Sequence, residues 1–236
     1  MSHKQQYGQQ AKSKHRLDQS RIRVAQEAAR IIHEHGLSDF RAAKAKAAEN
    51  LGLNQQGALP SNAEVEQAIA EHNRIFREDQ QLNDLIEHRH IAALLMHDLN
   101  IFKPRLVGAV LSGNITEHSS VDLHLYSDTS EAVGMLLDSK GFCYQPTVRK
   151  HSMRKGQTEE FPCYRFNSED TPVSATVFPE KRQSHAPICP INGKPMQRAK
   201  LRDLEELIYG AEYGDPEQAD QMQNSPHSFL NNGLPA

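Results

Sequence analysis

Apolar residues recur at helical spacing through most of the first hundred positions. They predict helices over about 17–36, 40–51, 62–76 and 80–99, and the first carries Ile22, Ala25, Ala29 and Ile32 on one face. Glycines follow the first two helices directly and are typical helix stops. Residues 55–60 are predicted to form a loop. Every regular element in this part of the chain is therefore expected to be a helix.

The pattern changes to that of strands after residue 102. Residues 105–111 are apolar enough for a buried strand, and residues 112–114 break it. In residues 121–126 (VDLHLY) apolar and polar positions alternate, which places Asp122 and His124 together on one face of a strand. Further strands are predicted at 142–150, 160–167 and 172–178, with a hairpin turn at 155–157.

Two more helices complete the predicted elements. One follows residue 128 and ends at Gly141, and the other runs over 199–209 with inward positions Leu201, Leu204, Leu207 and Ile208. A run of helices followed by mixed elements predicts an α+β fold. We expect a disordered tail at 1–16, a helical region at 17–100, a small mixed-sheet α/β domain at 101–210 and a second disordered tail at 211–236.

Composition narrows the class of protein. Hydrophobic residues make up 37% of the 236 positions, which is low for a compact domain and agrees with solvated tails. No apolar run approaches the roughly 18–20 residues that span a bilayer, and no signal-like apolar stretch begins the chain, so a cytoplasmic protein without a membrane partner is expected. The three cysteines include no CxxC pair and are interpreted as reduced thiols. The net charge of −3 gives no global attraction to nucleic acid.

Residues 108–128 carry the most informative chemistry. The turn Ser112-Gly113 follows one predicted strand, and Asp122 lies on the polar face of the next. Glycine lets a phosphate approach backbone N–H groups, and a serine hydroxyl can donate to a phosphate oxygen. Carboxylates at alternate strand positions can share divalent metal ions during nucleotidyl transfer. The alternative is an ordinary strand-ending turn beside an ordinary strand carboxylate.

On these residues the chain resembles the DNA polymerase beta-like nucleotidyltransferase superfamily over about residues 90–180. The family's Gly-Ser turn corresponds to Ser112-Gly113, and its acidic strand to residues 119–123 (SSVDL). The resemblance implies metal-dependent transfer of a nucleoside monophosphate from an NTP substrate, with Mg²⁺ or Mn²⁺, to a nucleic-acid or protein acceptor. It implies that Asp122 is a catalytic metal ligand and that Ser112, Gly113 and Ser120 contact the nucleotide.

The sequence departs from the family at the carboxylates. The family's paired acids fall either on Ser120 and Asp122 or on Asp122 and His124. The third acid falls on the strand 172–178, where the polar-face positions are Ser174 and Thr176. His124 is then a catalytic base or a ligand for a softer metal, or a histidine packed within the sheet.

Basic residues cluster near the predicted hairpin. Arg149 and Lys150, with Arg154 nearby, either contact nucleotide phosphates or form an ordinary solvated tip.

The missing acids support a second hypothesis, a catalytically degenerate fold that acts as a binding or regulatory protein for a partner protein or nucleic acid. Residues 21–52 form two predicted alanine-rich helices separated by a turn, as in helix-turn-helix DNA-binding proteins. The alternative is a helical cap on the α/β part.

Overall fold

The structure is a computed structural model. It describes the backbone of residues 3–37, 39–53, 59–76, 78–154 and 156–213, and the side chains of these residues except 3–16, 76, 78–80, 212 and 213. Over this part of the chain the helices are α1 (His3–His35), α2 (Phe40–Asn50), α3 (Asn62–Phe76), α4 (Glu78–Asp98), α5 (Gly108–Ser112), α6 (Ser130–Ser139) and α7 (Leu201–Tyr213). The strands are β1 (Arg105–Val107), β2 (Val121–Tyr126), β3 (Tyr144–Arg154), β4 (Gln157–Ser168) and β5 (Thr171–Phe178).

The five strands form one mixed sheet in the order β1-β2-β5-β4-β3. β2 and β5 run parallel, and the other neighbouring strands are antiparallel. The parallel register sets Asp122 opposite Ser174 and His124 opposite Thr176. The α+β class is therefore confirmed, with a helical N-terminal part preceding a mixed sheet.

One face of the sheet is buried under three helices. Leu123 and Leu125 of β2 project into an apolar core together with buried side chains of α4, α6 and α7, among them Leu95, Leu137 and Leu204. The core joins elements that are far apart in sequence, because α4 packs beside α7. Although α4 falls within the predicted helical region 17–100, it belongs to the core of the sheet by its packing.

Helices α1, α2 and α3 enclose a second apolar cluster. Its buried residues include Ala28 and Ile31 of α1, Ala47 of α2 and Ile69 of α3. Small alanine side chains let helices approach closely, so two alanine-rich helices bury a large share of their facing surfaces. Hydrogen bonds join this cluster to the loops around the sheet, as Asn73 Nδ2 donates to the Ile115 carbonyl at 3.0 Å.

The structure corrects several sequence-based expectations. The strand expected over 105–111 ends at Val107, because Gly108 takes a φ of +75° and turns the chain into α5. Helix α1 starts at His3, within the expected disordered tail, since glutamine, lysine and alanine all sustain helix. Ile22, on the apolar face of the first predicted helix, is 56% exposed, and the predicted inward position Leu207 is 40% exposed.

Other expectations agree with the structure or fall outside it. Gly156, at a φ of +80°, lies in the tight turn between β3 and β4, as the hairpin prediction requires. Residues 214–236 of the expected second tail lie outside the described residues, whereas 211–213 continue α7. Within the described chain, none of the helices combines the length and apolarity that crossing a bilayer requires.

Candidate functional site

The sheet face opposite the helical core carries three of the candidate residues. We call it the open face and define it by Asp122 and His124 of β2, Arg149 and His151 of β3, Cys163 of β4, and Ser174 and Thr176 of β5. These residues share one side because side chains alternate along a strand and the registers align the alternation across the sheet. Strands distant in sequence thereby bring polar groups together.

Asp122 and Arg149 form the central contact of the open face. Arg149 Nη1 donates to Asp122 Oδ1 at 2.7 Å, and Arg149 Nη2 lies 3.5 Å from Oδ2. The Asp122 side chain is 17% exposed and that of Arg149 42% exposed, so the pair is open to solvent on the guanidinium side. Burial opposes the charge of Arg149, yet the Asp122 carboxylate outweighs it and the pKa of the guanidinium is raised.

Hydroxyl and thiol groups complete this end of the face. Arg149 Nη1 also donates to Ser174 Oγ at 3.2 Å, and Ser120 Oγ lies 3.4 Å from Asp122 Oδ1. Cys163 Sγ is 3.3 Å from Ser174 Oγ and is buried. The carboxylate and guanidinium thus satisfy each other within a network of neutral groups.

Gly108 is a site residue that sequence reasoning missed. A Cβ built on Gly108 would lie 3.0 Å from Asp122 Oδ2, so the backbone at the start of α5 passes directly against the carboxylate. Glycine at this position combines a φ of +75° with the absence of a side chain. Its position directly after an apolar strand was the signal available in the sequence.

His124 lies deeper in the open face than Asp122. Its side chain is 2% exposed and its ring centroid is 4.6 Å from that of Phe178 and 5.3 Å from that of His151. Burial, and then electrostatic repulsion from His151 and Arg149, hold the pKa of His124 well below its ordinary value. The imidazole is therefore neutral and packed, and Nδ1 has no hydrogen-bond partner among the described residues.

The other predicted residues make contacts away from Asp122. Ser112 Oγ donates to the Ala109 carbonyl inside α5, and the Gly113 carbonyl accepts from Gln81 of α4. Lys150 alternates to the opposite side of β3 from Arg149, where its Nζ lies 3.1 Å from Glu160 Oε1. The structure therefore brings Asp122, Ser120 and Arg149 together and leaves Ser112, Gly113 and Lys150 in other contacts.

The residues around Asp122 do not fit a Mg²⁺ or Mn²⁺ ion. These ions need several oxygen ligands, and Asp122 supplies the one carboxylate of β2. That carboxylate already accepts from a guanidinium, whose positive charge opposes a second cation beside it. No cluster of three His, Cys, Asp or Glu side chains suited to a metal occurs within the described residues.

Comparisons with models of protein families, with characterised proteins and with solved structures found no match to this chain. Any function must therefore be argued from the geometry of the residues themselves.

Proposed function

We propose that this chain is a binding protein with a nucleotidyltransferase-like α+β domain, and that it binds a phosphate-bearing ligand such as a nucleotide without transferring it. The observation that carries the proposal is the Asp122–Arg149 ion pair. In a two-metal transferase the carboxylate must be free to hold cations, whereas here a guanidinium neutralises it.

The charge around the pair favours an anion over a cation. Arg165 of β4 lies opposite Ser174 and is exposed, so it belongs to the same side of the sheet as Arg149. On this side of the sheet Asp122 contributes one negative charge, and Arg149 and Arg165 contribute two positive charges. Arginine suits phosphate groups because its donors form a planar fork.

The competing proposal is a divergent transferase that uses Asp122 with a divalent metal, with His124 as an auxiliary group. It requires Arg149 to leave the carboxylate when metal binds. The buried, neutral imidazole of His124 lies against Phe178, which disfavours a role in handling solvent protons.

The test is pyrophosphate release from each of the four NTPs with Mg²⁺ or Mn²⁺, in the wild type, Asp122→Asn and the exposed control Glu205→Gln. We expect no release above background in any of them. Metal-dependent release that is lost in Asp122→Asn and retained in Glu205→Gln would overturn the proposal and establish the transferase.

Ligand binding is tested by the melting temperature with ATP in the presence of EDTA. We expect ATP to stabilise the wild type and to have a weaker effect on Arg165→Gln, which removes an exposed cation opposite Ser174 on the same side of the sheet. Arg202→Gln of α7 is the matched control, since its side chain is 86% exposed and lies on a different element. An equal ATP effect in Arg165→Gln and wild type would contradict binding at the open face.

A further inference from the structure

A second polar site lies at the opposite end of β2 from Asp122. It is a cavity of about 570 Å³ between the end of β3, residues 184–188 and residues 195–198. Tyr126, which contacts its wall through Arg198, is four residues after Asp122, or about 13 Å along the strand. The cavity is therefore separate from the Asp122–Arg149 pair.

The cavity is rich in positive charge. Arg154, Arg182 and Arg198 line it, and none of its described lining residues is acidic. The charge of Arg182 is balanced by Glu159, which does not line the cavity. Arg182 Nη2 donates to both Glu159 carboxylate oxygens, at 3.0 and 2.9 Å. Among the described residues, no carboxylate forms an ion pair with Arg154 or Arg198.

Arg198 is held in place by neutral groups. Its Nη1 donates to the Tyr126 hydroxyl at 2.6 Å and to the Gln183 carbonyl at 3.1 Å. Within the described chain, its Nη2 and Nε have no hydrogen-bond partner, so three N–H donors remain for a ligand. A guanidinium oriented in advance loses less conformational entropy on binding than a mobile one.

The wall opposite β3 is also fixed by backbone hydrogen bonds. The Ile188 N–H donates to the Ser152 carbonyl at 2.6 Å, and the Met196 N–H donates to the Pro187 carbonyl at 2.7 Å. The first contact attaches the segment after β5 to strand β3, and the second joins two parts of that segment. The cavity is accordingly a formed feature of the fold, as ligand pockets usually are.

Apolar side chains supply the rest of the lining. Met153, Ile188 and Met196 contribute, and Met153 is buried in a cluster with Phe161 and Phe178. Methionine sulfur and aliphatic groups favour contact with flat or apolar surfaces. The volume falls within the range of roughly 300–1,000 Å³ typical of small-molecule sites.

We propose that this cavity binds a small phosphate monoester whose phosphate contacts Arg154 and Arg198 and whose flat or apolar body contacts the methionines. An inorganic phosphate would leave most of the volume unfilled, and an uncharged molecule would leave the arginines unpaired. The inference is independent of the proposed function, because it concerns other residues at the opposite end of the sheet.

The experiment is calorimetric titration of the full chain with AMP, adenosine and inorganic phosphate. We expect AMP to bind more tightly than either fragment, because only AMP has both a phosphate and a flat body. Arg154→Gln removes a positive charge and Arg198→Lys removes the planar fork of donors, and each is expected to weaken AMP binding by about tenfold. Arg202→Gln is the matched control and should bind like the wild type.

Arg154 is exposed, so Arg154→Gln is expected to fold even if Arg198→Lys does not. Wild-type binding of AMP by both variants would overturn the proposal, as would AMP binding no tighter than inorganic phosphate. Loss of AMP binding in Arg165→Gln with retention in Arg154→Gln would place the ligand at the Asp122 end, which supports the proposed function and contradicts this inference.

Discussion

Two buried imidazoles link the interior of the open face to solution pH. His151 is 8% exposed, and its ring lies 5.3 Å from those of His124 and Phe178. Burial, followed by the charge of Arg149, lowers the pKa of His151 from 6.5 to about 4, against a smaller opposite effect of Asp122. The folded protein therefore favours the neutral ring.

This shift predicts the direction of the pH dependence of stability. Between pH 6.5 and about 4 the unfolded chain binds a proton that folded His151 does not. The contribution of neutral His151 to the free energy of unfolding is therefore complete above pH 6.5 and is lost as the pH falls towards 4. We expect His151 to account for about 2 kcal/mol of the free energy of unfolding lost between about pH 7 and about pH 5, as measured by urea denaturation.

His151→Gln should reduce that loss, and His97→Gln, which changes an exposed histidine of α4, should not. An identical pH dependence in His151→Gln and the wild type would show that His151 is not the responsible group.

At the scale of elements, the junction between β1 and α5 positions the candidate carboxylate. β1 ends after three residues, and Gly108 directs the chain back past Asp122. The apolar run 105–111 predicted a longer strand because periodicity does not detect a single left-handed residue. The short β1 leaves room for α5 at the edge of the sheet.

Gly108→Ala is expected to destabilise the fold by about 2 kcal/mol or more, by urea denaturation. The substitution strains a positive φ and also places a methyl group against Asp122 Oδ2. Gly141→Ala is the matched control, because Gly141 has a φ of +79° and nothing lies within 4 Å of the added Cβ. This substitution should lower the free energy of unfolding by about 1 kcal/mol. Equal losses would show that the contact with Asp122 contributes nothing.

At the scale of the whole molecule, most of the buried apolar side chains of the described residues belong to two large clusters. One contains α1, α2 and α3, and the other lies between the sheet and α4, α6 and α7. Polar hydrogen bonds cross between them, including Asn73 to Ile115 and Asn62 Nδ2 to the Pro190 carbonyl at 2.8 Å. Such joints are weaker than a continuous core, so the two parts can differ in local stability.

Hydrogen exchange can measure that difference. Ile31→Ala removes a fully buried side chain from the helical cluster and should speed exchange of amides in α1, α2 and α3 more than in β2 and β5. Leu123→Ala, in the other cluster, should show the opposite preference. Uniform acceleration over the whole chain in both variants would indicate a single cooperative unit.

Local sequence patterns predicted much of the fold because they report local geometry. Helical spacing located the main helices, and alternation in VDLHLY located β2 and both of its faces. The errors at Ile22 and Leu207 have a common cause, since periodicity identifies an apolar stripe but not how much of it a neighbour covers. Coverage depends on elements distant in the chain.

The sequence by itself determined which side of its strand each candidate residue faces: Asp122 and His124 on one side of β2, Ser174 and Thr176 on the matching side of β5. Only the tertiary structure decided which side chains these residues contact. Arg149 reaches Asp122 over a sequence separation of 27 residues, and the arginine-lined cavity is assembled from β3 and the segment after β5. The physical reason is that side-chain alternation follows from the backbone of one strand, whereas strand order and register depend on burying the whole core at once.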